Sequence, residues 1–339
     1  MLEPPDLQDE AIHACLRQAY GIEAARVTFL PLGADANTAV YRVQGRDGTP
    51  YFLKLRWGAF DRTSVELPRF LCDQGVRHII APLPALSGLL WADLHDGKAI
   101  LYPYVEGRDG YAVRLSERQW VELGAALRRI HSLVLPAALA GRIRRETYSP
   151  RCREAVREAM GRLDEAIDEP VAARLAAFLE GKRDEVLFLV GRAETLGHGL
   201  QSHPPEPVLC HSDLHAGNLL IDGGGGFFIV DWDEPILAPR ERDLMFIGGA
   251  QGFAGYSAEE EEALFYRGYG HVEIDPAALA YYRYERIVAD LAAFCEQLLW
   301  TAEGGADREQ ALRWAISNFS PGHALDAAHA ADPAWRAKR

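Results

Sequence analysis

The order of apolar and polar residues divides the chain into two differently built regions. Residues 8–20 space their apolar side chains as a helix does, and Gly21 follows as a stop. Residues 27–32 read as a strand. Residues 39–43 and 51–55 are two further β-rich runs on either side of a Gly-Arg-Asp-Gly turn signal. A helix is predicted over 62–74, with Val65, Phe70 and Leu71 as apolar positions and Pro68 marking a break or a first turn. Strands at 89–91 and 99–102 complete a mostly β segment. Beyond 103–107 the pattern turns helical. Trp120, Leu123, Leu127 and Ile130 share one face of 116–132, and 151–168 and 171–198 are rich in Ala, Leu, Glu and Arg. Residues 281–300 repeat apolar groups at Tyr284, Ile287, Val288, Leu291, Phe294 and Leu298. One β island interrupts the helices: 218–221 and 227–231 flank a run of glycines and predict a hairpin. From about residue 321 the chain is Ala-rich with scattered charge and is expected to be loosely held. The fold class is therefore α+β, a small β-rich lobe followed by a larger α-rich lobe with a central hairpin.

Composition narrows the function. A length of 339 residues suits two lobes at roughly 150 residues per domain. With 48% hydrophobic and 25% charged residues, the chain is no disordered tail. No apolar run approaches the ~20 residues that cross a bilayer. The acidic start lacks a signal pattern, so a cytoplasmic protein with no membrane partner is expected. The 36 Lys and Arg against 49 Asp and Glu leave a net charge of −13, which repels nucleic acid and favours a cationic small molecule. Arg142, Arg144 and Arg145 read as a solvated helix end. Five cysteines with no C-x-x-C pair indicate buried thiols rather than disulfides or structural zinc.

The chemistry concentrates in His211-Ser-Asp213-Leu-His215-Ala-Gly-Asn218 and in Ile229-Val-Asp231-Trp-Asp233. A tight hairpin brings Asn218 and Asp231 to one spot. An amide oxygen and a carboxylate are hard ligands that suit Mg2+, whose other positions water and phosphate fill. Asp213 can then accept a hydrogen bond from a substrate hydroxyl beside that metal. Phosphoryl transfer needs this arrangement: in-line positioning and neutralised phosphate charge, with a carboxylate that orients the nucleophile and takes its proton late.

The run H-x-D-x-x-x-x-N followed by hydrophobic-x-D resembles the motif of the aminoglycoside phosphotransferase and choline kinase-like family, whose members share the protein-kinase-like fold. The stretch from Val230 to Gly249 is most similar to that of the spectinomycin (aminoglycoside 9-) phosphotransferases. The resemblance spans about Leu30 to Trp300. It implies a nucleotide-binding lobe over 1–102, a hinge over 103–107, and a catalytic and acceptor-binding lobe over 108–339. It implies ATP and Mg2+ as cofactors, and Lys54 as the lysine that holds the α- and β-phosphates, with Glu66 as its helix partner. Gly33 and Asn37 lie where the nucleotide-covering loop belongs, although the G-x-G-x-x-G of protein kinases is missing. The backbone carbonyl of Pro103 and the N–H of Val105 would hold adenine. His211 would order the catalytic loop rather than act as the base.

Other residues are open to two readings. His215 is a loop-packing or substrate-rim residue rather than a metal ligand, and Asp233 is a second metal contact, a substrate contact or a structural carboxylate. Arg242 and Asp243 resemble a structural pair that braces the catalytic region. Glu259 to Glu262 read as a solvated helix start, or else as the lining of a pocket for a cation. Tyr281, Tyr282 and Tyr284 read as core. The function expected is transfer of the γ-phosphate of ATP to a hydroxyl of a small molecule, most of all an aminocyclitol antibiotic such as spectinomycin. One alternative is a metabolic kinase acting on choline, homoserine, methylthioribose or another small alcohol. Another is a metal-dependent hydrolase built on His211, Asp213, His215 and Asp231. A pseudokinase is disfavoured because Lys54, Asp213, Asn218 and Asp231 are all present.

Overall fold

A computed structural model of the chain describes residues 5, 7–32, 37–249, 252, 255–302 and 305–337. In chain order the elements are α1 (Asp9–Tyr20), β1 (Ala24–Leu30), β2 (Thr38–Gly45), β3 (Pro50–Arg56), α2 (Thr63–Asp73), β4 (Ala92–Leu94), β5 (Gly97–Pro103), β6 (Gly107–Asp109), α3 (Glu117–His131), α4 (Ala137–Ala140), β7 (Arg144–Arg145), α5 (Arg151–Gly161), α6 (Pro170–Gly181), α7 (Arg183–Ser202), β8 (Val208–Cys210), β9 (Leu219–Asp222), β10 (Phe227–Ile229), β11 (Ile236–Ala238), α8 (Glu241–Leu244), α9 (Ala258–Tyr269), α10 (Pro276–Leu299), α11 (Gly305–Ser317), α12 (Ala324–Ala331) and α13 (Pro333–Arg336). The chain forms two compact units. The first comprises Met1–Leu115, Val134–Ile143 and Gly217–Pro235, and the second Ser116–Leu133, Arg144–Ala216 and Ile236–Arg339.

In the first unit an antiparallel sheet runs in the order β1-β2-β3-β5-β4. Strand side chains alternate between faces. Leu53 and Leu55 of β3 therefore turn into a core with Tyr41, Val43, Leu101 and the α1 residues Ile12 and Leu16. Lys54 and Arg56 take the opposite face. The expected strand at 89–91 lies instead at β4, after the turn. Helix α2 runs through Pro68 rather than breaking there.

The predicted hairpin is β9 and β10, with Phe227 opposite Ile221 and Ile229 opposite Leu219. Asp222 ties its turn, because Oδ1 accepts from the N–H groups of Gly224 and Gly226 at 2.9 and 2.8 Å. Gly225 sits at φ +83°, which a side chain would resist. The hairpin groups with the first unit, whereas the sequence reading placed it in the second lobe. Two contacts account for this. β9 pairs with β6, and the Ile229 N–H donates to the His78 carbonyl at 2.8 Å.

The second unit is helical around α10, whose Ile287, Val288 and Leu291 are fully buried. Tyr281, Tyr282 and Tyr284 are buried beside them, as expected of core. The helix expected over 171–198 is two, α6 and α7, separated at Lys182. Helices α3 and α9 pack backbone to backbone because each offers a glycine. A Cβ on Gly124 would strike the Phe265 carbonyl, and one on Gly268 would strike that of Val121. The segment after residue 321 is not loose. Leu325 and Ala328 of α12 are buried, and Asp332 receives both Arg192 Nε and Nη2 at 2.7 Å. That two-pronged pair outweighs the Ala-rich composition that predicted a loose end. All five cysteines are free thiols.

Candidate active site

Within the first unit the hairpin does what its spacing predicted. Asn218 closes a short 3-10 turn at Ala216–Asn218, and β9 begins at the next residue. The Val230 N–H donates to the Asn218 carbonyl at 3.0 Å, so Asn218 and Asp231 stand at the same end of the ribbon. Asp231 occupies φ +63°, a left-handed conformation that is uncommon outside glycine. Its side chain is half exposed. One amide oxygen and one accessible carboxylate are the donor set that Mg2+ accepts.

Lys54 reaches both carboxylates of the Asp-x-Asp run. Its Nζ lies 2.8 Å from Asp233 Oδ2 and 3.7 Å from Asp231 Oδ1. Glu66 is not its partner. The Glu66 carboxylate pairs with Arg142 and, at 3.8 Å, with Arg62. The expected Lys54–Glu66 pair is thus corrected. Asp233 lies on the face of β3 where Lys54 emerges, and Glu66 is occupied by a guanidinium no local pattern connects to it. Arg142 is accordingly no solvated helix end. Of the nucleotide-loop residues, Gly33 lies outside the described residues. Asn37 anchors the end of β3, its carbonyl accepting from the Trp57 N–H at 2.9 Å. Pro103 ends β5 opposite Tyr51, and Val105 follows in the connection to β6.

Within the second unit Asp213 is held from two sides. Arg286 Nη1 lies 2.5 Å from Oδ1, and His215 Nε2 lies 3.4 Å from Oδ2. Partial burial opposes ionisation of this carboxyl, but the His215 hydrogen bond and the Arg286 charge outweigh it and hold Asp213 well below the usual carboxylate range. Arg286 also pairs along α10 with Asp290 at 3.2 Å, whose own carboxyl burial pushes up. The Asp213 N–H donates to His211 Nδ1 at 3.3 Å, which leaves the ring proton on Nε2.

The segment before Asp213 hangs on Asp243. This carboxylate is completely buried. Its Oδ2 accepts from the His211 N–H at 2.9 Å and its Oδ1 from the Ser212 N–H at 2.7 Å. His131 Nε2 lies 3.1 Å from Oδ2, and Tyr269 Oη holds the other ring nitrogen at 2.8 Å. Burial works against the charge of Asp243, but hydrogen bonding, from His131 first, still lowers its pKa. Ser212 takes φ +75°, a strained conformation of order 1–3 kcal/mol that these bonds maintain. Asp243 was legible as a brace. His131, Tyr269 and Arg286 were not, since no local spacing links them to the motif. Two arginines among the apolar residues of α10, Arg283 and Arg286, were the available signal, and nothing local set Arg286 apart from Arg283.

One acidic expectation changes. Glu260 completes a capping box with Ser257, but Glu261 is buried rather than solvated. Burial pushes its carboxyl up to about 7, against a hydrogen bond from the Gly248 N–H at 3.1 Å. His131, Cys210 and Asp243 lie close enough to suggest a metal. They are instead hydrogen-bonded together or to carbonyls. The Cys210 thiol donates to the Ala238 and Pro239 carbonyls, and burial keeps it far from the thiolate a metal needs.

The Asp213 segment and the β9–β10 hairpin fall inside residues 28–284, which match the model of the phosphotransferase enzyme family. The chain belongs to that family. Among solved structures, a spectinomycin phosphotransferase in complex with ADP and spectinomycin is 34% identical, with a TM-score of 0.90 over 96% of this chain and 99% of that one. The choline kinase LicA of Streptococcus pneumoniae, at 15% identity and a TM-score of 0.55, shares the fold, covering 92% of this chain and 99% of its own. Protein StrN of Streptomyces griseus is 27% identical over 206 residues, which is 58% of this chain and 62% of that protein. The family is one of phosphotransferases with the protein-kinase-like fold, so the α+β class and the enzyme class read from the motif both stand.

Arg286 carries a pH prediction. Removing its guanidinium in Arg286→Met takes away an opposite charge that helps lower the Asp213 pKa. A depressed pKa keeps Asp213 ionised as pH falls, so losing the depression moves the acid limb of kcat/KM upward. Profiles from about pH 4 to 8 are expected to show that rise. Superimposable profiles of wild type and variant would contradict it.

Proposed function

We propose that this protein transfers the γ-phosphate of ATP to a hydroxyl of a small cationic acceptor, an aminocyclitol such as spectinomycin. The observation that carries this is the 34% identity to a spectinomycin phosphotransferase that holds ADP and spectinomycin, over nearly the whole of both chains. The motif chemistry agrees with it. Asp213, held ionised by His215 and Arg286, orients the acceptor hydroxyl and receives its proton as the new O–P bond forms and ADP leaves. His211 and Asp243 keep that carboxylate in place. Asn218 and Asp231 would hold Mg2+, which when bound neutralises phosphate charge. Lys54 binds the α- and β-phosphates, Asn37 and Gly33 belong to the loop that covers them, and Pro103 and Val105 present backbone groups to adenine. In this reading 1–102 is the nucleotide lobe, 103–107 the hinge and 108–339 the acceptor lobe. No helix among the described residues is long and apolar enough to cross a membrane. Use of ATP fits a cytoplasmic protein, and net charge of −13 fits a cationic acceptor and no nucleic-acid partner.

The deciding experiment is release of ADP from MgATP with a panel of acceptors. Spectinomycin is expected to raise turnover far above the rate without acceptor. If choline, homoserine or methylthioribose does so and spectinomycin does not, the enzyme is a metabolic kinase of the same fold. Stoichiometric zinc retained through dialysis, without kinase turnover, would mean a hydrolase instead.

A further inference from the structure

Strand β3 sends two cations, not one, to the phosphate-binding side of its sheet. Lys54 and Arg56 are two residues apart and so share a face, opposite the buried Leu53 and Leu55. Both end on the same atom: Lys54 Nζ and Arg56 Nη1 each lie 2.8 Å from Asp233 Oδ2. Asp231 Oδ1 is the next carboxylate oxygen from Lys54, at 3.7 Å. From β5 the Tyr102 phenol faces the same group, held protonated by its burial and then by the charges of Asp233 and Asp231. Arg56 and Lys54 are each mostly covered, so neither pair is a loose surface contact.

This arrangement poses a charge problem that a lysine alone would not solve. If Lys54 is the phosphate ligand, it must turn from Asp233 toward the nucleotide. Asp233 would then be left as a bare carboxylate beside incoming phosphate, and like charges at close range repel. A guanidinium that stays on Asp233 removes that repulsion. It is permanently charged, and its fork offers several donors. We propose that Arg56 is the standing counter-cation of Asp233, a positioning residue that releases Lys54 to the nucleotide phosphates without touching them itself. The pairing that a helix glutamate was expected to supply is in this chain supplied by Asp233, and Arg56 makes it compatible with binding. The inference rests on the nucleotide-binding part of the proposed function.

The test is titration calorimetry with MgADP and, separately, adenosine. Arg56→Gln is expected to weaken MgADP roughly tenfold and to leave adenosine binding as it is, because the penalty falls on the phosphates. The double variant Arg56→Gln/Asp233→Asn is expected to recover most of that loss, since the uncompensated charge is gone. Arg56→Lys, which keeps the charge, should bind MgADP close to wild type. It serves as the folding control, with thermal melting of each variant.

Three results overturn the proposal. One is MgADP affinity unchanged in Arg56→Gln. Another is a double variant as weak as the single, which would mean Arg56 meets the phosphates directly. The third is equal loss of adenosine and MgADP binding, a sign of general damage. Failure of the underlying reading shows elsewhere, in wild type. A wild-type protein that binds MgADP but phosphorylates nothing sinks the acceptor and not this inference. A wild type blind to MgADP sinks both.

Discussion

Replacing Asp213 by alanine is expected to cut kcat by about 10²–10⁴-fold, the range a positioned acid–base group supplies, while MgADP still binds. The carboxylate proposed to receive the hydroxyl proton is lost, and Arg286 and His215 are left without their shared partner. The effect belongs in kcat, because the residues proposed to hold the nucleotide lie on other elements, β3 and the hairpin. Asp213→Asn is the sharper variant. It keeps the shape and the hydrogen-bonding capacity of the side chain and removes only its charge and basicity, so it should lose nearly as much. Steady-state kinetics with calorimetry of MgADP binding decides the matter. Turnover within a few fold of wild type in either variant would remove Asp213 from the chemistry.

The second large effect should appear in stability. Asp243→Ala deprives three donors of their acceptor: the His211 N–H, the Ser212 N–H and the His131 ring. Removing a buried acceptor leaves each of these donors with its desolvation penalty, roughly 1–3 kcal/mol for an unmet buried N–H. The Ser212 backbone, no longer pinned at φ +75°, can relax toward an ordinary conformation and carry Asp213 with it. The variant should melt well below wild type and, where it still folds, lose activity. His131→Asn, which leaves the two backbone bonds to Asp243 intact, should do less on both counts. A melting temperature for Asp243→Ala within a degree or so of wild type would show that the brace is dispensable.

Part of this site was legible from local spacing, for a physical reason. A two-stranded ribbon closed by glycines has one geometry, so Asn218 and Asp231 had to meet wherever the hairpin was packed. The residue types already suggested the proposed chemistry, hard oxygen donors on the hairpin and a further carboxylate, Asp213, just before it. Likewise, alternation along 51–55 put Lys54 opposite Leu53 and Leu55. The same rule also pairs Lys54 with Arg56, an extension read only once their common partner was seen.

The partners of the site were another matter. Lys54 meets Asp233 and not Glu66, and Asp213 meets Arg286. Asp243 collects His131 and the backbone of the motif. Glu261, read as one charge in a solvated run, is buried with its carboxyl pushed up. Each of these joins residues far apart in the chain, and which of two nearby carboxylates a lysine finds depends on how strands and helices are packed. The sequence by itself determined the α+β class, the hairpin and the meeting of Asn218 with Asp231 at its end, because short-range periodicity and turn chemistry act within a few residues. Only the tertiary structure decided which counter-ion each charged group keeps. Ion pairing acts through space, at a few ångströms, between groups that the linear order leaves unrelated.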